Sequence, residues 1–291
     1  MSAPTVTGSM SSLTLGRRRH LTDLVMRGLC GVAALGAAAV LLLLLGHVVI
    51  QGAPALSLQL LTSLPTPLGV EGGGIAHAVV GSAIMVGLGC LWGIPLGIAA
   101  GMFLSEYAGA RTGSFVRFTA DVLSGVPSIV IGIFAYTIVV APLSGFSGLA
   151  GAFALGLITL PIVARTTEEV MRLVPPELRE ASLALGVPRW RTILAVVLPT
   201  ASTGVLTGAI LALARVAGET APLIFTALGN NFFSLDPNRP MASITLTIFQ
   251  YAIWPYEYLH RQAWAASFLL VLFILIVNVS VRLAARNSGV R

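Results

Sequence analysis

The sequence contains no lysine and little charge of either sign. All 17 basic residues are arginine, 11 residues are acidic, and charged residues make up 10% of the chain. A soluble domain carries about 25% charged residues. That shortfall, together with 56% hydrophobic residues in runs that lack a polar face, excludes a large soluble helical protein. The missing lysine also removes any Gly-x-x-x-x-Gly-Lys-Ser/Thr phosphate loop, and with it that route to ATP hydrolysis. In itself the absence of lysine points to no function. The two cysteines, Cys30 and Cys90, both lie in apolar runs, where a small hydrophobic role is expected rather than a disulfide. No carboxylate–histidine grouping reads as a metal site, and the four histidines are scattered. The net charge of +6 lies beside apolar runs rather than in one patch, so no nucleic-acid partner is expected.

What is abundant is apolar sequence in runs that reach the roughly 20 residues needed to cross a bilayer. The expected fold class is an all-α polytopic membrane protein with six transmembrane helices. Residues 1–27 are expected to form a disordered cytoplasmic tail, rich at its start in Ser, Thr and Gly. Residues 28–50 form the first transmembrane helix, a run too long for a secretory signal core and without a convincing cleavage site after it. The remaining transmembrane domain covers 72–284. Its spans are expected near 75–104, 118–141, 148–164, 193–228 and 264–281, with Pro95 as a kink and Pro161 as an interruption. Gly93, Gly97 and Gly101 recur every four residues and so share a helix face that allows close approach of a neighbour. Residues 241–254 are apolar but too short to span, and read as a surface or re-entrant helix.

Arginine distribution supplies the orientation. Arg17, Arg18, Arg19, Arg27, Arg111, Arg117, Arg165, Arg172, Arg179, Arg189, Arg191, Arg282, Arg286 and Arg291 fall on one side of the six-span arrangement. Arg239 and Arg261 fall on the other, and Arg215 lies within a span. Basic loops stay cytoplasmic, so both termini are expected inside and the long 229–262 connection outside.

Two stretches carry chemistry. Residues 176–186 read as a short helix: proline suits its first turn, Glu177 and Glu180 complement the positive end of its dipole, and Gly186 suits its stop. Leu178, Ala181, Ser182 and Leu185 share one face, small enough to lie in another protein's groove; an ordinary connection fits the composition equally well. Further on, Arg215 and Glu219 are four apart and would share a helix face inside the membrane. Intramembrane charge costs about 2.5–3.5 kcal/mol on insertion scales and marks a partner or pathway by default. One reading is a self-neutralising packing pair. The other is an anion path, in which the guanidinium grips an oxyanion through two parallel hydrogen bonds. Glu219 would then prevent an anion trap and accept a hydrogen bond from a proton-bearing oxygen.

Glu180-Ala181-Ser182, Gly186, Val196 and Leu198-Pro199 carry a resemblance. Their spacing is that of the EAA loop of type I ATP-binding-cassette import permeases, with Ser182 in place of the usual second Ala and Val196 in place of Ile. Arg215-Val216-Ala217-Gly218-Glu219-Thr220, followed by Ala221-Pro222-Leu223, is similar to the permeases of phosphate-specific transport systems, on the PstA rather than the PstC side. The likeness runs from about residue 72 to 283 and includes Gly125-Val126-Pro127-Ser128. The resemblance implies the type I ABC importer permease fold and a non-catalytic permease in a bacterial inner membrane. It implies a second permease of PstC type, an ATPase dimer of PstB type, an extracytoplasmic phosphate-binding protein of PstS type, phosphate as cargo and lipid as surroundings. ATP would be used by the partner subunits, with no cofactor bound by this chain. It also implies that Glu180, Ala181, Ser182 and Gly186 belong to the helix that docks on the ATPase, and that Arg215, Glu219 and Thr220 belong to the substrate path. A permease for molybdate or sulfate, an ATPase-independent secondary transporter and an intramembrane enzyme are the rival readings. The last two are opposed by the lack of an internal repeat and of a catalytic cluster.

Overall fold

The computed structural model describes residues 9–288 and is helical almost throughout. The chain divides into two units, 1–50 and 51–291. The first unit is carried by helix α1, Ser9–Gly52, which contains a candidate span over Thr22–Ala55. The expected disorder over residues 1–27 is thereby corrected from Ser9 onward; residues 1–8 lie outside the described residues. No proline falls between Ser9 and Gly52, and leucine, methionine and arginine are good helix formers, so a helix nucleated in the apolar run extends back through the basic cluster.

The second unit is built on two helices, α3 (Ala76–Glu106) and α6 (Gly148–Arg172); a short α2 (Leu58–Thr62) precedes them. Glycines bring the two together. A Cβ on Gly93 would lie 2.9 Å from the Gly156 carbonyl oxygen, one on Gly97 2.8 Å from the Val163 Cβ, and one on Gly101 2.6 Å from the Ala164 carbonyl oxygen. The glycine face expected from the sequence therefore lies against α6, and Gly89 extends it by one turn against Ala152. Gly93→Leu is expected to cost about 3 kcal/mol, the upper end for overpacking, and to lower the yield of monodisperse detergent-extracted protein. Wild-type yield and melting would contradict the tight seam. Neither Pro95 nor Pro161 breaks its helix. α6 runs eight residues past the expected end at 164, so Arg165–Arg172 are its last two turns rather than the start of a loop.

The expected third span, 118–141, is not continuous. α4 (Ala110–Gly125) and α5 (Ser128–Ala135, prolonged by a π turn over Tyr136–Val140) meet at 101°. Val126 and Pro127 are both extended at the break. Proline disfavours helical geometry in the residue before it and has no N–H to continue the ladder. The next span joins α8 (Arg189–Thr192), a π turn (Ile193–Val197) and α9 (Leu198–Ala217). It ends at Gly218, ten residues before the expected boundary at 228, and a one-turn helix α10 (Ala221–Ile224) follows. α7 (Pro176–Ala184) connects α6 to α8. α11 (Ile244–Ile253) is too short to span, as expected. It is not a surface helix, because Ile244, Thr245, Leu246, Thr247 and Tyr251 are buried. The Ser243 hydroxyl caps it by accepting from the Leu246 N–H, and the Ile244 N–H donates to Ser82 Oγ of α3 at 2.8 Å. α12 (Glu257–Ser288) closes the unit, starting seven residues before the expected span. Among the described residues, five helices are long and apolar enough to cross a membrane, and the bent α4–α5 pair makes a sixth crossing if counted as one.

Candidate functional site

The bend between α4 and α5 and the end of α9 face one cavity. About 190 Å³ in volume, it is lined by Leu123, Ser124, Val126, Pro127 and Ser128 around the α4–α5 bend, and by Ile131, Ile158 and Ile162. Arg215 and Glu219 complete it. Its walls are aliphatic and its polar side chains are two hydroxyls, one guanidinium and one carboxylate.

Arg215 occupies the last turn of α9, between the buried Ala214 and Val216. Its own side chain is exposed. Glu219 lies beyond the helix end, so the expected shared helix face is corrected: Gly218 caps the helix through its N–H to the Arg215 carbonyl at 3.1 Å. The Glu219 backbone is held from two sides. Its N–H donates to the Val216 carbonyl at 3.1 Å, and its carbonyl accepts from Thr245 Oγ1 of α11 at 2.8 Å. Among the described residues, Arg215 and Glu219 form no ion pair with each other or with another side chain. The cavity therefore presents an unneutralised cation and an unneutralised anion side by side. Thr220 does not line it. That residue stands at the N-cap of α10, where its carbonyl accepts from the Leu223 N–H. Gly132 of α5 lets the Pro222 backbone of α10 pack closely, which holds α5 against the segment that follows α9.

At the far end of α6, helix α7 carries the other expected residues. Glu180 and Ala181 are exposed. Leu185, 84% exposed, and Trp190, 59% exposed, present apolar surface beside them. Gly186 adopts φ +78° with its N–H donated to the Leu183 carbonyl at 2.9 Å, a left-handed helix stop that favours glycine. Ser182 is corrected: it does not share the outward face with Leu178, Ala181 and Leu185. It is buried, its hydroxyl 2.9 Å from that of Thr192 on α8, so the departure from the EAA pattern ties α7 to the next span.

Two arginine clusters near α7 escape a reading by motif. Arg179 of α7 donates through Nε and Nη2 to Glu106 Oε1 at the end of α3, at 3.2 and 2.8 Å. It also donates to the Val174 and Met171 carbonyls at 2.6 and 2.8 Å. Arg189 donates to the Glu106 carbonyl and stacks 5.0 Å over the Tyr107 ring. Arg179 thus ties α7 to the ends of both α3 and α6. The second cluster centres on Glu168, 1% exposed, which receives Arg117 at 2.6 Å, Arg165 at 3.0 Å and Arg172 at 2.6 Å; Arg165 also reaches Asp121 of α4 at 3.1 Å. The spacing of Arg165, Glu168 and Arg172 on one helix was available in the sequence. The cross-helix partners Arg117 and Asp121 were not.

The sequence pattern of binding-protein-dependent transport system inner membrane components matches residues 93–289. The chain is 46% identical over 244 residues to a Yersinia pestis protein named phosphate transport system permease protein PstA, covering 83% of this chain and 82% of that one. It is 44% identical over 283 residues to the protein of the same name from Xylella fastidiosa strain 9a5c, covering 96% and 98%. Among solved structures, it resembles a chain of the inward-facing MetNI methionine ABC transporter, with a TM-score of 0.61 over 73% of this chain and 95% of that one. The identity there is 18%, so the likeness speaks for the fold alone. From the pattern match and these identities over most of the chain, the protein belongs to the binding-protein-dependent transport inner membrane components, as a multi-pass, non-catalytic permease of the PstA branch.

Proposed function

We propose that this chain is one of two permeases of an ATP-driven phosphate importer, and that phosphate passes the cavity between the α4–α5 bend and the end of α9. The observation that carries the proposal is the unpaired Arg215 guanidinium facing that cavity beside the unpaired Glu219 carboxylate. A charge so placed among membrane spans is stabilised by a cavity or a passing ion. Guanidinium matches a tetrahedral oxyanion through parallel N–H donors. Glu219 limits the depth of that anion well and accepts a hydrogen bond from a P–OH group, which sulfate lacks near neutral pH.

The remaining parts extend the resemblance of the EAA-like and Arg-x-x-Gly-Glu-Thr segments, with the arginine bias as support for the orientation. Both termini face the cytoplasm. A PstC-type permease supplies the other wall of the path, and a PstS-type binding protein docks outside on the 229–262 connection. A PstB-type ATPase dimer docks on α7, where Glu180, Ala181 and Gly186 meet it and Ser182 braces it. ATP is bound and hydrolysed by those subunits and no cofactor by this chain. Closure of the ATPase pulls α7, and Arg179 transmits the pull to α3 and α6. The path opens outward to receive phosphate, and hydrolysis returns it inward.

Labelled-phosphate uptake into vesicles holding the complete assembly tests this reading, with sulfate and molybdate as competitors. ATP-dependent uptake resistant to both competitors is expected. Glu219→Gln is expected to lower uptake about tenfold, the effect of one charge-assisted hydrogen bond, and to let sulfate compete. Transport of a different oxyanion would keep the fold and sink the substrate; unchanged uptake and discrimination by Glu219→Gln would remove the carboxylate from the path.

A further inference from the structure

The cavity holds two hydroxyls that no motif assigns. In the membrane-spanning helices, Thr119, Thr137, Thr159, Thr166, Thr207 and Ser267 each donate to the carbonyl four residues earlier. A hydroxyl in an apolar surrounding is ordinarily satisfied in this way. Ser124 and Ser128 are not. Both line the cavity with Arg215 and Glu219, and among the described residues neither side chain has a hydrogen-bond partner. Their placement follows from the bend. On one continuous helix, residues four apart would stack on a single face, whereas the 101° turn at Val126-Pro127 sets Ser124 at the end of α4 and Ser128 at the start of α5. The two hydroxyls thus reach the cavity from different directions. A tetrahedral oxyanion needs donors that do not lie in one plane, and Arg215 offers a planar fork.

We infer that Ser124 and Ser128 are substrate-binding residues: their hydroxyls donate to the phosphate oxygens that the Arg215 guanidinium leaves free, and the α4–α5 bend exists to converge them. The inference rests on the phosphate-permease reading above. It extends the site from a charged pair to a four-membered cradle of three donors and one acceptor, matched to a tetrahedral oxyanion that carries one proton. The cavity, at about 190 Å³, is far above the roughly 10–15 Å³ that admits a single water, so the ion can enter with part of its hydration.

The test is equilibrium binding of labelled inorganic phosphate to the purified membrane assembly without its binding protein, paired with ATP-driven uptake by the complete assembly. Ser124→Ala and Ser128→Ala are each expected to raise the Kd about tenfold, and the double variant roughly 100-fold, as for lost hydrogen bonds to an ion. Ser124→Thr and Ser128→Thr, which keep the hydroxyl, should stay within a few-fold of wild type. Subunit co-elution should be unchanged throughout, because Ser124 is exposed and Ser128 half-buried. A wild-type Kd in the double alanine variant would overturn the inference, as would equal losses in the threonine and alanine variants. Failure of the wild-type assembly to bind phosphate while transporting it would also overturn it, leaving the function intact. Failure of the complete wild-type assembly to transport phosphate would instead remove the function on which the inference stands.

Discussion

Replacing Arg215 with alanine is expected to reduce ATP-driven phosphate uptake at least about 100-fold while the subunits still assemble. The size follows from the lost bonds. A hydrogen bond to an ionised group contributes about 1.5–3 kcal/mol, and a guanidinium can supply two in parallel. Preserved assembly follows from the surroundings: the side chain is exposed and, among the described residues, makes no ion pair, so its removal strands no buried carboxylate there. Alanine is also the best helix former at a position in the last turn of α9. Arg215→Lys is expected to fall between the two, since an ammonium keeps the charge but not the fork. Uptake into vesicles, with co-purification of the subunits as the control, measures both claims. Wild-type uptake by Arg215→Ala would return the residue to a packing role. Loss of co-purification would make it a structural residue instead.

Gly186→Pro is expected to separate ATP hydrolysis from transport. The native φ of +78° is closed to proline, whose ring holds φ near about −65°. The N–H that donates to Leu183 would vanish. Leu185, at φ −78° and ψ 5°, would be forced out of its near-helical geometry by the proline after it. All three effects act on the last turn of α7 and on the chain leading to α8, and none acts on an apolar span. Uptake should therefore fall to background with the protein still inserted, while the ATPase subunits continue to hydrolyse ATP. Gly186→Ala separates shape from crowding. Nothing lies within 4 Å of the added Cβ, so its cost is the left-handed strain alone, about 1–2 kcal/mol, and partial coupling should survive. The ratio of phosphate transported to ATP hydrolysed is the quantity to measure. A wild-type ratio in Gly186→Pro would remove α7 from the coupling path.

Both expectations draw on features that differ in how far they were legible before the structure. The EAA-like spacing and the glycine at its stop are local: a helix start, a helix end and the left-handed residue between elements are set by near neighbours in the chain. Gly186 could be read for that reason. The glycine periodicity of α3 was equally local, although the partner helix was not. Ser182 shows the limit of such readings. Its spacing placed it on the face of Leu178 and Leu185, and only the packing of α7 on α8 turned its hydroxyl inward to Thr192. The Arg215–Glu219 pair failed in the same way. Four-residue spacing means a shared face only while the helix continues, and α9 stops at Gly218, where Thr245 from a distant helix holds the Glu219 carbonyl.

By itself, the sequence determined what the solvent and the chain's periodicity dictate: apolar runs long enough for a bilayer, arginines gathered in the connections, close-packing glycines, a short helix with a glycine stop and an arginine inside an apolar run. These are properties of composition and short spacing, and water and lipid act on them residue by residue. The tertiary structure decided where the helices break and what the breaks face. It set the 101° bend at Val126-Pro127 against the end of α9, bringing Ser124 and Ser128 to Arg215 across some 90 residues of chain. It joined Arg179 to Glu106 and Arg117 to Glu168 between helices. A proline can signal a possible break, but whether the helix survives it depends on neighbours that satisfy the freed backbone groups. α3 and α6 run through Pro95 and Pro161, whereas the chain bends at Pro127. That outcome is settled by packing between segments far apart in sequence.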